Sequence, residues 1–241
     1  MMRPRRVITV DGLAGTGKTT LSKLLAERLG FVHMSTGLLY RAVGYLALRA
    51  NVSRDDQSKL AELIRTHDIK LVLGRKSSGD DRSARIVIDG DDVFDSLYSP
   101  QVSEATSEVA VHPAVRDALV AAQREAFPGE DLVAEGRDMG TVIFPEADVK
   151  FWIETEEKIK VARRLQQILE KEQLISEERK VQLAHEMRIE IHERDKRDQE
   201  RGLAPSIQGA DMVRIANSGS TIEEVLQEMI AHVTSTLKIS A

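Results

Sequence analysis

Gly12-Leu13-Ala14-Gly15-Thr16-Gly17-Lys18-Thr19 has the spacing G-x-x-x-x-G-K-S/T. Glycines at those positions let the backbone curl until successive N–H groups point inward at phosphate oxygens, with the positive end of a following helix behind them. Lys18 then reaches the β and γ phosphates, and the Thr19 hydroxyl, with Thr20 beside it, is available to Mg²⁺, which prefers oxygen ligands. The chemistry implied is nucleoside triphosphate binding, with ATP and Mg²⁺ as expected cofactors.

A phosphate loop alone does not separate a switch GTPase, a motor and a small-molecule kinase. The sequence has no Asn-Lys-x-Asp and no Asp-x-x-Gly, so the parts of a guanine-selective switch are missing. A kinase needs positive charge around a second anion. Arg41 follows Ser35-Thr36-Gly37, Arg137 stands in Gly136-Arg137-Asp138, and Arg194, Arg197 and Arg201 recur at i, i+3 and i+7. That last spacing puts three guanidinium groups on one helical stripe able to close as a lid; alternatively it is a solvated face, with Arg194 and Asp198 paired at i, i+4.

These residues need a scaffold. Val7–Val10 is a β-branched run and Leu21, Leu24, Leu25 and Leu29 recur at helical spacing, so the glycine loop joins a strand to a helix. Apolar runs at 31–34, 132–134, 149–153 and 212–215 alternate with helical patterns around residues 39–50, 115–122 and 226–233, which predicts a parallel sheet covered by helices on both faces. Strand ends of such a sheet share one crevice, where Arg137 would stand beside the loop. Ile69–Leu73 and Arg85–Ile88 read as a hairpin joined by the polar stretch Gly74–Ser83. The charged stretch Glu154–Arg201 reads as helices projecting into solvent. Both are read as excursions from a single domain over residues 1–241.

At 241 residues the chain is long enough to bury a sizeable core, about 70 to 75% of its unfolded surface. A net charge of −5 and 4% aromatic residues lack the basic, stacking footprint of a nucleic-acid binder, and the absence of cysteine excludes disulfides and thiolate chemistry. The basic start lacks a sustained apolar run after it and nothing reaches about 18 consecutive apolar residues, so neither export nor membrane insertion is expected and the location expected is cytoplasmic.

Several blocks together resemble the bacterial cytidylate kinase family, P-loop kinases that move a phosphoryl group from ATP to CMP or dCMP. These are the glycine loop, Thr36-Gly37-Leu38-Leu39-Tyr40-Arg41, Ile88–Val93, the stretch Val102–Arg116, Glu135-Gly136-Arg137-Asp138-Met139-Gly140-Thr141-Val142 and Glu193-Arg194-Asp195-Lys196-Arg197-Asp198. The resemblance covers nearly the whole chain. It implies a P-loop NTPase core with an inserted nucleoside monophosphate-binding region at 36–113, containing a small antiparallel sheet at about 69–95, and a helical lid at 154–205. It further implies that Ser107, Arg116 and Asp138 meet the cytosine, Arg41 and Arg137 the CMP phosphate, and Arg194 and Asp198 the sugar. Arg201, Thr36 and Tyr40 are placed in the same substrate site, and Lys18, Arg137, Arg194, Arg197 and Arg201 carry the charge in transfer. A monomer is implied. Ser35 stands where the family usually has Asp, and Leu97-Tyr98 where an arginine is often found.

Cytosine suits this set, since its N4 amino group donates to a carboxylate such as Asp138 while O2 and N3 accept from Arg116 or a hydroxyl. Uracil would present a carbonyl to Asp138. A monophosphate oxygen is already anionic at pH 7, so no general base and no catalytic histidine are expected. Glu135 is a candidate for ordering Mg²⁺ through water or for a structural hydrogen bond. A related kinase acting on UMP, AMP or shikimate, or an ATP-binding regulatory protein without transfer activity, remains open at the level of sequence.

Overall fold

The computed structural model describes residues 5–74, 82–170 and 176–239. Residues 1–4 of the basic start, 75–81 of the polar hairpin loop and 171–175 of the charged stretch lie outside the described residues. In chain order the elements begin with β1 (Val7–Gly12), α1 (Lys18–Leu29), β2 (Val32–Ser35), α2 (Gly37–Arg49) and α3 (Gln57–Thr66). The small strands β3 (Ile69–Leu73), β4 (Ala84–Ile88) and β5 (Asp91–Asp92) follow, then α4 (Pro100–Val109) and α5 (Pro113–Arg124). The chain continues with β6 (Leu132–Glu135), β7 (Val149–Glu154), α6 (Glu157–Leu169), α7 (Glu177–Glu200), β8 (Val213–Ala216) and α8 (Ile222–Leu237).

Five strands form one parallel sheet in the order β2-β6-β1-β7-β8. Period-two alternation sends Ile8, Val10, Val133, Phe151 and Ile153 to one face, against α1 and α8, while Val7, Leu132 and Ala134 face α2, α3 and α5. Ile8 and Val10 are fully buried, and burying such a side chain contributes about 1.5 to 3 kcal/mol. The chain leaves β1 toward β2 on one side and later returns through β7 on the other, so the crevice where strand order switches lies beside the carboxyl end of β1.

The antiparallel sheet β3-β4-β5 bears out the expected hairpin and adds a short third strand. Ile86 and Ile88 of β4 join the same core as α2 and the main sheet, so the insertion shares its packing with the body of the protein. Two helices add to those expected, although Leu60, Leu63 and Ile64 of α3 do recur at i, i+3 and i+4. α3 is started by the Asp56 carboxylate accepting from Lys59 N–H, and α4 by Ser99 accepting from Val102 N–H with Pro100 at its first position.

The charged stretch does form helices, α6 and α7, but it does not simply project into solvent: Lys160, Leu183, Ile191, Asp195 and Arg201 are buried. Much of that burial runs through ion pairs rather than an apolar stripe, which a periodicity argument cannot detect. Among the described residues no helix is long and apolar enough to cross a membrane.

Candidate active site

The glycine loop takes the strand-loop-helix form. Gly15 and Gly17 have φ of 71° and 82°, left-handed conformations that glycine adopts without strain. At Gly12 a Cβ would lie 2.5 Å from the Ile153 carbonyl oxygen. No side chain caps α1, whose N-cap is Gly17, so its first amides face the loop interior. Lys18 Nζ donates to the Leu13 carbonyl at 2.9 Å, and Thr16 Oγ1 donates to the same oxygen at 3.1 Å. The loop is braced from outside by Asn217 Nδ2 and Thr155 Oγ1, which donate to Thr16 O at 2.7 and 3.2 Å. Thr20 is exposed at the first turn of α1.

Thr19 and Ser35 meet on Glu135. Thr19 Oγ1 donates to one carboxylate oxygen at 2.8 Å and Ser35 Oγ to the other at 2.6 Å. Ser35 and Glu135 stand side by side in the β2–β6 register, at the carboxyl ends of their strands. Burial pushes the Glu135 carboxyl up, but Lys18, His33 and the two hydroxyl donors outweigh it and hold the group below its ordinary value. A carboxylate therefore sits beside the loop with Ser35 at the position where the resemblance leads one to expect Asp. The link between Ser35 and Glu135 was not visible in sequence, because the partners lie a hundred residues apart.

Across the cleft stand the arginines. Arg137 Nε donates to Asp198 of α7 at 2.7 Å and its Nη1 to Gly12 O at 2.9 Å, so one guanidinium joins the strand-end loop, the glycine loop and α7. Arg41 Nη1 donates to Leu97 O at 2.8 Å and Ser103 Oγ at 3.0 Å, with its guanidinium 5.1 Å from the Tyr98 ring centre. Leu97 and Tyr98 thus tie the insertion to Arg41. Arg116 and Asp138 form a buried hydrogen-bonded ion pair, and the Arg116 guanidinium lies 5.4 Å from the Tyr40 ring centre.

Lys18, Thr19, Thr36, Tyr40, Arg41, Ser107, Arg116, Arg137, Asp138, Arg194, Asp198 and Arg201 all line one cleft. Arg197 does not: it is exposed, and the cleft receives Arg194 and Asp198 from α7 and Arg201 from just past the helix end at Glu200, so the three arginines do not share one helical stripe. Residues that sequence reasoning missed also converge here. Asp195 of α7 accepts from the Ala14 N–H at 2.8 Å and from Lys160 Nζ at 2.5 Å, and Arg163 of α6 holds Asn217 O at 3.1 Å beside Gly17.

Positive charge dominates the cleft. Burial and the nearby Arg137 charge push the Lys18 ammonium down to about 7 and the Arg194 guanidinium down to about 10. Among the described residues, two buried Arg201 nitrogens, Nε and Nη2, have no hydrogen-bond partner. Cations that crowd one another in a strand-end cleft beside a phosphate loop form a receptor for more than one anion.

A phosphate loop between the central strand and its helix, faced by guanidinium groups from other elements, defines a phosphotransferase of the P-loop kinase class. A sequence profile of the cytidylate kinase family matches residues 8–235. The chain is 35% identical over 241 residues to a cytidylate kinase of Shewanella pealeana, covering 98% of this chain and 97% of that protein. It is 40% identical over 233 residues to one of Solibacter usitatus, covering 96% and 93%, and 36% identical over 227 residues to one of Haemophilus ducreyi, covering 94% and 96%. The chain belongs to the cytidylate kinase family.

Proposed function

We propose that this protein transfers the γ-phosphoryl group of ATP to CMP or dCMP, giving ADP and CDP or dCDP. The observation that carries the reading is the excess of positive charge in one cleft, where Lys18 and Arg194 crowd an Arg137 that is itself paired with Asp198, with an ion pair suited to cytosine, Arg116–Asp138, in the same lining. ATP phosphates occupy Gly12–Thr20 and Lys18. The acceptor phosphate takes Arg41 and Arg137, the sugar takes Arg194 and Asp198, and Ser107, Arg116 and Asp138 read the base, with Thr36, Tyr40 and Arg201 completing the wall. The acceptor oxygen attacks the γ-phosphorus in line and the bond to the β-phosphate oxygen breaks. The protein contributes alignment and charge neutralisation rather than a base.

Thr19 suits Mg²⁺: its hydroxyl proton is committed to Glu135, which leaves lone pairs free for a cation, and the Glu135 carboxylate can hold a water of that ion. Among the described residues no group of three His, Cys, Asp or Glu could hold a metal unaided, so phosphate oxygens would complete the shell. Mg²⁺ seated there would neutralise charge developing on the transferred group. In this reading residues 36–113 bind the monophosphate and 154–205 form the lid of a single domain over 1–241, with Arg197 joining the site only on further closure, and the protein works as a cytoplasmic monomer without nucleic acid or membrane partners.

An ADP-release assay over CMP, dCMP, UMP, AMP and shikimate tests the substrate. CMP and dCMP should exceed UMP by at least about tenfold, and Asp138→Asn should erase most of that margin. Preference for UMP, or tight ATP binding with no acceptor effect, refutes the proposal.

A further inference from the structure

Asp11, the residue just before the glycine loop, has each carboxylate oxygen accepting from an amide outside that loop. Oδ1 accepts from Met139 N–H at 2.9 Å and Oδ2 from Gly140 N–H at 2.8 Å. Those amides open the single π-helical turn Met139–Ile143, which starts immediately after Arg137 and Asp138. The Asp138 carbonyl accepts from Val142 and Ile143 N–H at 2.9 and 3.2 Å, so Asp138 is held at the mouth of the turn while its side chain reaches Arg116. Asp11 is fully buried, and burial pushes its carboxyl up to about 7 against the pull of the two amides. A buried carboxylate with such a desolvation cost persists where its acceptors are needed.

Side chains pack closely against the turn. A Cβ on Gly140 would stand 2.7 Å from Thr9 Oγ1 and 2.8 Å from Met212 Cε, and one on Gly136 would stand 2.8 Å from Met139 and from Thr36 Oγ1. The turn is thus clamped between β1 and the β6 exit.

We infer that Asp11 is a positioning residue for acceptor recognition: by gripping the first two amides of the π-turn it sets where Arg137 and Asp138 point, and so governs the choice and placement of the nucleoside monophosphate. The inference rests on the assignment of Asp138 to the base. Although Asp11 adjoins the ATP loop in sequence, its hydrogen bonds serve the other substrate.

Asp11→Asn keeps the size but can accept only one of the two N–H groups well, since its amide nitrogen faces the other as a donor. Its KM for CMP should rise about tenfold or more and its CMP-over-UMP preference should shrink, while the Kd for ATP, measured by titration without acceptor, stays within about twofold. Gly140→Ala moves the turn without touching the carboxylate and should show the same split, which keeps the inference testable if Asp11→Asn does not fold. Losses shared equally by ATP and CMP, or a lowered Tm with the CMP-over-UMP ratio intact, overturn it. Asp138→Asn in the same panel separates the two readings. If it leaves base preference unchanged, the assignment of Asp138 fails; if it alters preference and Asp11→Asn does not, only the role of Asp11 fails.

Discussion

Lys18 shows most directly what the cleft lacks without nucleotide. Its ammonium is buried, donates to Leu13 O and stands close to Arg137, and these surroundings bring it down to about 7. A triphosphate beside it favours the charged form and must raise that value, because an opposite charge within a few ångströms stabilises the cation. ATP binding at pH 8 should therefore take up protons, and the uptake should shrink as pH falls through 7, where Lys18 is already charged. Titration calorimetry in two buffers of different ionisation enthalpy measures this; buffer-independent heats at pH 8 would contradict it. At this scale the sequence was half legible. The glycine loop announces itself by local spacing, whereas the Ser35–Glu135–Thr19 junction and the Asp195–Ala14 contact join residues far apart in the chain and leave no local pattern.

At the scale of elements, β1, β2, β6 and β7 were readable because buried parallel strands are short apolar runs bounded by turns, and the edge strand β8, with only Ile215 buried, was readable from its short apolar run around Arg214. α3 was readable in principle, with Leu60, Leu63 and Ile64 at i, i+3 and i+4, whereas α4 has few apolar residues and is announced mainly by its Ser99 cap and Pro100. α7 shows a different limit: the expected arginine stripe is partly right, with Arg194 and Arg201 inward but Asp198 in place of Arg197. Asp198 holds Arg137 at 2.7 Å and lies 3.8 Å from Arg201 Nη1. Removing it leaves guanidinium groups unbalanced on the acceptor side and spares the glycine loop. Asp198→Ala should cut kcat/KM for CMP by about a hundredfold, the cost of losing a partly buried charged partner, while the Kd for ATP changes little. An equal loss of ATP binding would show that α7 serves the donor side instead.

For the molecule as a whole, β1 and β6 both contribute to the two cores: Val7, Leu132 and Ala134 pack with the α2 face, and Ile8, Val10 and Val133 with the α1 and α8 face. Because the small sheet packs into the first of these cores, unfolding should be one event. Ile8→Ala should cost about 2 to 5 kcal/mol, with the transition seen by the lone Trp152, in β7, shifting together with far-ultraviolet circular dichroism. Two separated transitions would show that the insertion melts independently. The Asp195–Ala14 hydrogen bond has a consequence for the entire reaction cycle. One N–H of the glycine loop is already engaged by the protein's own carboxylate. A phosphate that takes that N–H displaces the Asp195 carboxylate, and to that extent ATP binding and the rest of α7 on the loop oppose each other, each weakening the other by the same coupling free energy.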